Sequence, residues 1–116
     1  MIKIKRIYEV VEESDGVRIL VDRLWPRGIS KSKAKIALWL KDVAPSDKLR
    51  KWFAHDPKRW KDFQKKYTAE LKNKEEILSR IKQIEEKEKV VTVLYAAKDE
   101  KHNNAVALKN ILRHKK

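Results

Sequence analysis

The chain carries the string VDRLWPRG at residues 21–28, which sets one carboxylate, two guanidinium groups and an indole inside a single short stretch. Each guanidinium offers a planar fork that matches two oxygens of a phosphate or carboxylate, a match that lysine reproduces only loosely. Trp25 can stack on a base, a sugar or an arginine, and Pro26 with Gly28 holds such a loop in a turn. Asp22, Arg23, Trp25 and Arg27 therefore read as candidates for binding an anionic small molecule or nucleotide. A purely structural use of the same residues stands beside that reading: Asp22 pairs with Arg23 or Arg27, and Trp25 caps the core.

A second polar cluster, KDEKHNN at residues 98–104, follows the apolar run VVTVLYAA, and Lys41 follows IALWL. Tyr95, Lys98, His102, Asn103, Asn104 and Lys41 join the candidate ligand-binding set on that ground. Catalytic candidates are weaker. His102 sits before a helix, where an imidazole can donate to an anion or move a proton, and a solvated loop histidine is its plainer reading. His55 and Asp56 are neighbours, which invites a general-base reading with the carboxylate orienting the imidazole, yet Asp56 before Pro57 has a sufficient role as a helix cap. Three scattered histidines without HxH or HxxxH spacing and a complete lack of cysteine argue against a metal site, and no cofactor is expected. The serines lack a nucleophile-elbow setting, and two glycines cannot supply a P-loop or a dinucleotide fingerprint.

Positioning these groups requires strands whose ends meet. Ile2 and Ile4 alternate with lysines as in a half-buried strand, Ile19, Leu20 and Val21 begin a second, and residues 36–40 form a third. The spacing between the first two permits a hairpin or a parallel crossover. Ser30 opens a short helical turn, and Ser46 caps a helix carrying Leu49, Trp52 and Phe53. Asp56 caps the next, whose Trp60, Phe63, Tyr67 and Leu71 fall on one stripe. A further helix begins near Lys74 with Ile77, Ile81 and Ile84 inward. The run at residues 90–97 reads as a strand buried on both faces, of the kind found in parallel sheets, and a last helix runs from Asn103 or Asn104 to Arg113 with Leu108, Ile111 and Leu112 inward. Trp39, Trp52 and Trp60 read as core. The order predicts one α/β domain over residues 1–116, a layered sandwich with a small, mostly parallel sheet of about four strands flanked by helices and a frayed basic tail at residues 113–116. In such sheets ligands bind beyond the carboxyl ends of the strands.

The 116 residues suit one domain, and 30 Lys plus Arg against 17 Asp plus Glu leave a net charge of +13 that attracts anions, including nonspecific nucleic acid. With 41% charged residues and two glycines, the composition also matches that of thermostable proteins from hot habitats, which gives the lysines a second origin. No stretch approaches the roughly 20 apolar residues of a membrane span, and the absence of cysteine fits a cytoplasmic protein.

VDRLWPRG, the string WLKDVAPSDKLRKWFAHDPKRWKDFQKKYTAEL, and LYAAKDEKHNNAVALKNIL, in that order, resemble the YeaO-like branch of the domain-of-unknown-function 488 family over nearly the whole chain. The resemblance brings no established activity. It implies parallel strands, and a cleft faced by two motifs. One is an acid and arginine followed by proline, matched by Asp22, Arg23 and Pro26; the other lies at the start of the last helix, where longer relatives carry Cys-His-Arg and this chain has His102, Asn103 and Asn104. Thiol chemistry is therefore not transferable. Ala54 stands where the branch leads one to expect glycine.

Two functional readings follow: a site for an anionic small molecule or nucleotide at the carboxyl edge of the sheet, or a basic nucleic-acid-binding or interaction module working through lysines spread over the helices.

Overall fold

The computed structural model describes residues 1–114. Its strands are β1 (Ile2–Arg6), β2 (Val17–Leu20), β3 (Leu38–Trp39) and β4 (Val91–Tyr95), in the spatial order β1-β4-β2-β3, and every neighbouring pair is parallel. The first strand, whose direction spacing left open, thus runs with the others. The sheet with five helices is the α/β architecture expected from the element order.

The connection from β1 to β2 is an irregular crossover ending in a single 3-10 turn at Glu13–Asp15. Gly16 then takes φ 63°, and a Cβ there would stand 2.2 Å from the Val90 carbonyl oxygen, so the close approach of this turn to the start of β4 needs glycine.

The helices are α1 (Lys31–Ala34), α2 (Asp47–Phe53), α3 (Trp60–Leu71), α4 (Glu75–Glu88) and α5 (Asn104–Arg113). Side-chain caps begin three of them: Ser30 Oγ accepts from Lys33 N–H, Ser46 Oγ from Leu49 N–H, and Asn103 Oδ1 from Val106 N–H. Asp56 caps as expected, but its carboxylate accepts from Lys58 N–H in a 3-10 turn, Pro57–Arg59, that leads into α3. In α4 the inward face includes buried Leu78 and Ile81, with Ile77 and Ile84 at its margins. Arg113, assigned from sequence to a frayed tail, closes α5 and His114 follows as its C-cap, whereas residues 115–116 lie outside the described part.

Side chains alternate between the two faces of β2 and β4. Ile19, Val21, Val91, Val93 and Tyr95 join the main core with Phe63, Tyr67 and Leu71 of α3 and Leu108 and Leu112 of α5. Leu20 and Leu94 face the other way, into a smaller cluster with Ile7 and Ala34 under Trp25, Ile29 and Trp39. Trp39, Trp52 and Trp60 are half-buried at the margins of these clusters. The third strand is shorter than residues 36–40, yet Ala37 N–H and Leu40 N–H still bond to the Arg18 and Leu20 carbonyls at 2.8 and 2.9 Å, so the segment hugs β2 throughout.

At the amino end of β2 lies a charged network that sequence reasoning missed. Arg18 Nη1 and Lys5 Nζ reach the two Asp15 oxygens at 2.7 and 3.0 Å, and Arg18 Nε and Nη2 donate to the Ala34 carbonyl. Burial would raise the Asp15 pKa, but the hydrogen bonds from Glu12 N–H, Lys5 and Arg18 outweigh it and hold the carboxyl below its ordinary value.

Candidate functional site

Because all four strands run the same way, Arg6, Asp22, Leu40 and Ala96 leave the sheet at one edge. A cleft of about 750 Å³ opens there. The loop after β2 supplies Asp22, Arg23, Leu24, Trp25, Pro26 and Arg27; the chain after β4 supplies Ala96, Ala97, Lys98 and Asp99; and Asn103 and Asn104 enter from the start of α5. Arg6 at the end of β1 and Tyr8 after it also line the cleft, as do Ala44, Pro45, Arg50, Phe53, His55 and Phe63.

Asp22 forms the polar floor. Its Oδ2 accepts from Ala96 N–H at 2.9 Å and its Oδ1 from Asn104 Nδ2 at 3.0 Å, while the same amide also donates to the Val21 carbonyl. The carboxylate is thus stitched between the exit of β4 and the first turn of α5, and it pairs with neither Arg23 nor Arg27. Burial pushes its pKa up, against the pull of Asn104, of Ala96 N–H and of the nearby His55. His55 reaches this position on two successive left-handed residues, Ala54 at φ 48° and His55 at φ 56°. That is a conformation non-glycine residues adopt at a cost, and such strain concentrates at functional sites.

The rim divides into committed and uncommitted cations. Arg23 donates from Nε to the Pro45 carbonyl at 3.2 Å and from Nη2 to the Ala44 carbonyl at 3.4 Å, so much of its fork is spent on holding the loop before α2. Arg6 Nε bonds to the Ala96 and Ala97 carbonyls at 3.1 Å, and its guanidinium lies over the Tyr8 ring. Arg50 pairs with Asp47 at 3.3 Å. Among the described residues the Arg27 and Lys98 side chains have no hydrogen-bond or ion-pair partner. The Arg27 backbone is nevertheless fixed, since the Tyr8 hydroxyl donates to its carbonyl at 2.7 Å. Trp25 does cap the smaller core, with Nε1 donating to Ile29 O and its ring meeting Trp39 edge-on at 5.3 Å, while it also lines the cleft.

Seven of the ten sequence candidates for ligand binding, Asp22, Arg23, Trp25, Arg27, Lys98, Asn103 and Asn104, therefore come together in this cleft. The other three do not line it. Tyr95 is buried in β4, and Lys41 places its ammonium over the Trp39 ring at 4.2 Å. His102 Nδ1 meets Asp99 Oδ2 at 2.9 Å, with the imidazole edge-on to Trp60. Hydrogen bonds from His102 and from the Lys101 and His102 N–H groups lower the Asp99 pKa to about 2, so the pair acts as a latch between the exit of β4 and α5. Asn103 is buried in that latch, capping α5 and donating to the Asp99 carbonyl. Of the weak catalytic candidates, Asp56 is a cap and only His55 lines the cleft. Sequence reasoning missed Arg6 and Tyr8, because their place follows from the direction of β1, and Phe53 and Phe63, because core residues that show one edge to a cleft have no separate signature. Among the described residues no group of three metal-ligating side chains gathers.

The family described as the inactive DUF488-N3 subclade matches residues 1–116. The chain belongs to that subclade. It is 43% identical over 112 residues to the uncharacterized protein YeaO of Escherichia coli K12, which covers 97% of this chain and 96% of the relative. It is also 46% identical over 70 residues to the uncharacterized protein Rv3073c of Mycobacterium tuberculosis H37Rv, covering 60% of this chain and 59% of that one. No solved structure matches the chain significantly. No helix among the described residues is long and apolar enough to cross a membrane.

Proposed function

We propose that this protein binds an anionic small molecule, a phosphate or carboxylate compound of the size of a nucleotide, in the cleft at the carboxyl edge of its sheet. The observation that carries the reading is the pair of uncommitted cations, Arg27 and Lys98, on the rim of a cleft whose walls and floor are already fixed by internal bonds. Because the frame beneath them is already bonded, the ordering lost on meeting an anion is confined to the two side chains themselves. The cleft volume of about 750 Å³ falls in the range of small-molecule sites, and strand ends of parallel sheets are where such sites occur. The reading stops at binding. It is supported by the subclade's description as inactive and by the absence of any cysteine where longer relatives place one.

The test is a thermal-shift screen of phosphorylated and carboxylated metabolites, with calorimetry on each hit, since a ligand specific for the folded state raises apparent stability by mass action. Arg27→Ala combined with Lys98→Ala should abolish the shift while leaving the unliganded melting temperature in place. Arg23 is unsuited to that test, because its removal would also release the Ala44 and Pro45 carbonyls. Hits that survive the double substitution would refute the site.

The net charge of +13 supports the competing reading, contact with nucleic acid over the lysine-bearing helices. The two differ in where the cations must be: at one cleft, or spread over the helices.

A further inference from the structure

We propose that the ligand of the cleft is a nucleoside phosphate held at two poles, its phosphate by Arg27 and Lys98 at the rim and a pair of adjacent N–H or O–H donors by the Asp22 carboxylate on the floor. This rests on the anion-binding reading above and adds the other end of the ligand.

A pocket meant for a bare anion gains nothing from a carboxylate in its floor, since like charges repel most where water is excluded. Asp22 nonetheless lines the cleft, and its position is built: Ala96 N–H and Asn104 Nδ2 each occupy one of its oxygens at 2.9 and 3.0 Å. An ionised carboxylate offers about four acceptor sites, so about two remain, one on each oxygen. Two adjacent donors on a ligand would meet both. The other lining carboxylate, Asp99, already receives His102 and two backbone N–H groups. Asp22 is therefore the acceptor pole that is left.

Apart from these charged groups the lining is largely apolar and in part aromatic, with Leu24, Pro26, Pro45, Phe53 and Phe63 among it. That surface suits a flat ring or a sugar edge rather than a chain of charges. A nucleoside phosphate combines the three demands: a phosphate, a flat body, and a donor pair, which is either the cis-diol of the ribose or the amidine-like edge of guanine. Burial that makes the ionised Asp22 costly in the empty cleft is relieved when such donors arrive, which gives the site its selectivity for them.

Isothermal titration with four probes decides the matter. Guanosine monophosphate carries both donor pairs, its dideoxy analogue only the base edge, ribose phosphate only the diol, and phenyl phosphate is a flat anion with neither. Guanosine monophosphate should bind at least about tenfold tighter than phenyl phosphate, as a bidentate pair to a charged acceptor warrants. Whichever single-pair probe keeps that margin identifies the donors. Asp22→Asn should erase the margin and, with one negative charge gone from the floor, bind phenyl phosphate at least as tightly as the wild type does, which also shows that the variant cleft is folded. Equal binding of guanosine monophosphate and phenyl phosphate to the wild type, or a margin that survives Asp22→Asn, overturns the inference and leaves the anion site standing. Failure of both to bind overturns the anion site as well. The wild-type comparison is decisive even should the variant fail to fold.

Discussion

Asp22 is set where a carboxylate is costly, half-buried at the end of a core strand with hydrogen bonds that only partly offset its desolvation. Its folded pKa is raised, so folding favours the protonated form relative to the unfolded chain. The associated stability is complete below the ordinary Asp value of about 4 and is lost as pH rises through the folded value. Asp22→Asn has no such titration. Its stability relative to wild type, followed by chemical denaturation from about pH 3 to about pH 7, should therefore improve as pH rises; a constant difference would show that the carboxyl is not perturbed. Gly16 makes a sharper demand. With φ 63° and the Val90 carbonyl where a Cβ would go, Gly16→Ala must displace backbone, and we expect a loss above about 2 kcal/mol, measured as a fall in denaturation midpoint at unchanged slope.

At the scale of elements, the helix caps differ in what they join. Asp56 is partly exposed and satisfies one N–H of a 3-10 turn, so Asp56→Ala should cost about 0.5–2 kcal/mol and leave the cleft intact. Asn103 is buried, caps α5 and also bonds the Asp99 carbonyl, so Asn103→Ala should cost more than Asp56→Ala and should shift the amide resonances of Lys98 and Asp99 as well. Equal losses with no change at Asp99 would reduce Asn103 to an ordinary cap. The elements themselves were largely legible, because caps, apolar stripes and β-branched runs are local signals: Ser30, Ser46 and Asp56, the stripe from Trp60 to Leu71, and the run over β4 each declare themselves within a few residues. The cleft was legible as far as strand exits could be read from polar residues following apolar ones, which found Asp22, Lys98 and Asn104. It was not legible where identity depends on direction or partner. Arg6 needed the orientation of β1, the use of Arg23 on two loop carbonyls needed the loop, and the Asp15, Arg18 and Lys5 network needed β1 and β2 side by side with β4.

For the whole molecule, the distribution of charge separates a local anion site from a diffuse polyanion surface. Nonspecific nucleic-acid contacts release about one counterion per phosphate neutralised, so such binding is steeply salt-dependent and indifferent to any one pair of cations. We expect random-sequence DNA or RNA to bind weakly at physiological salt, with an affinity that Arg27→Ala and Lys98→Ala together hardly change. Sub-micromolar binding in fluorescence anisotropy, abolished by that double substitution, would make the loop after β2 a nucleic-acid contact. The strand order carries a different consequence. β4 comes last among the strands in sequence, yet it lies between β1 and β2 and supplies their ladders, with Ile4 and Ile19 both in register with Val93. Before β4 is made, β1 and β2 have no strand between them, and of the native ladders the short β2–β3 pair alone can form. Completing the sheet then requires β4 to close onto both β1 and β2 across long stretches of chain, a non-local step of the kind that slows folding.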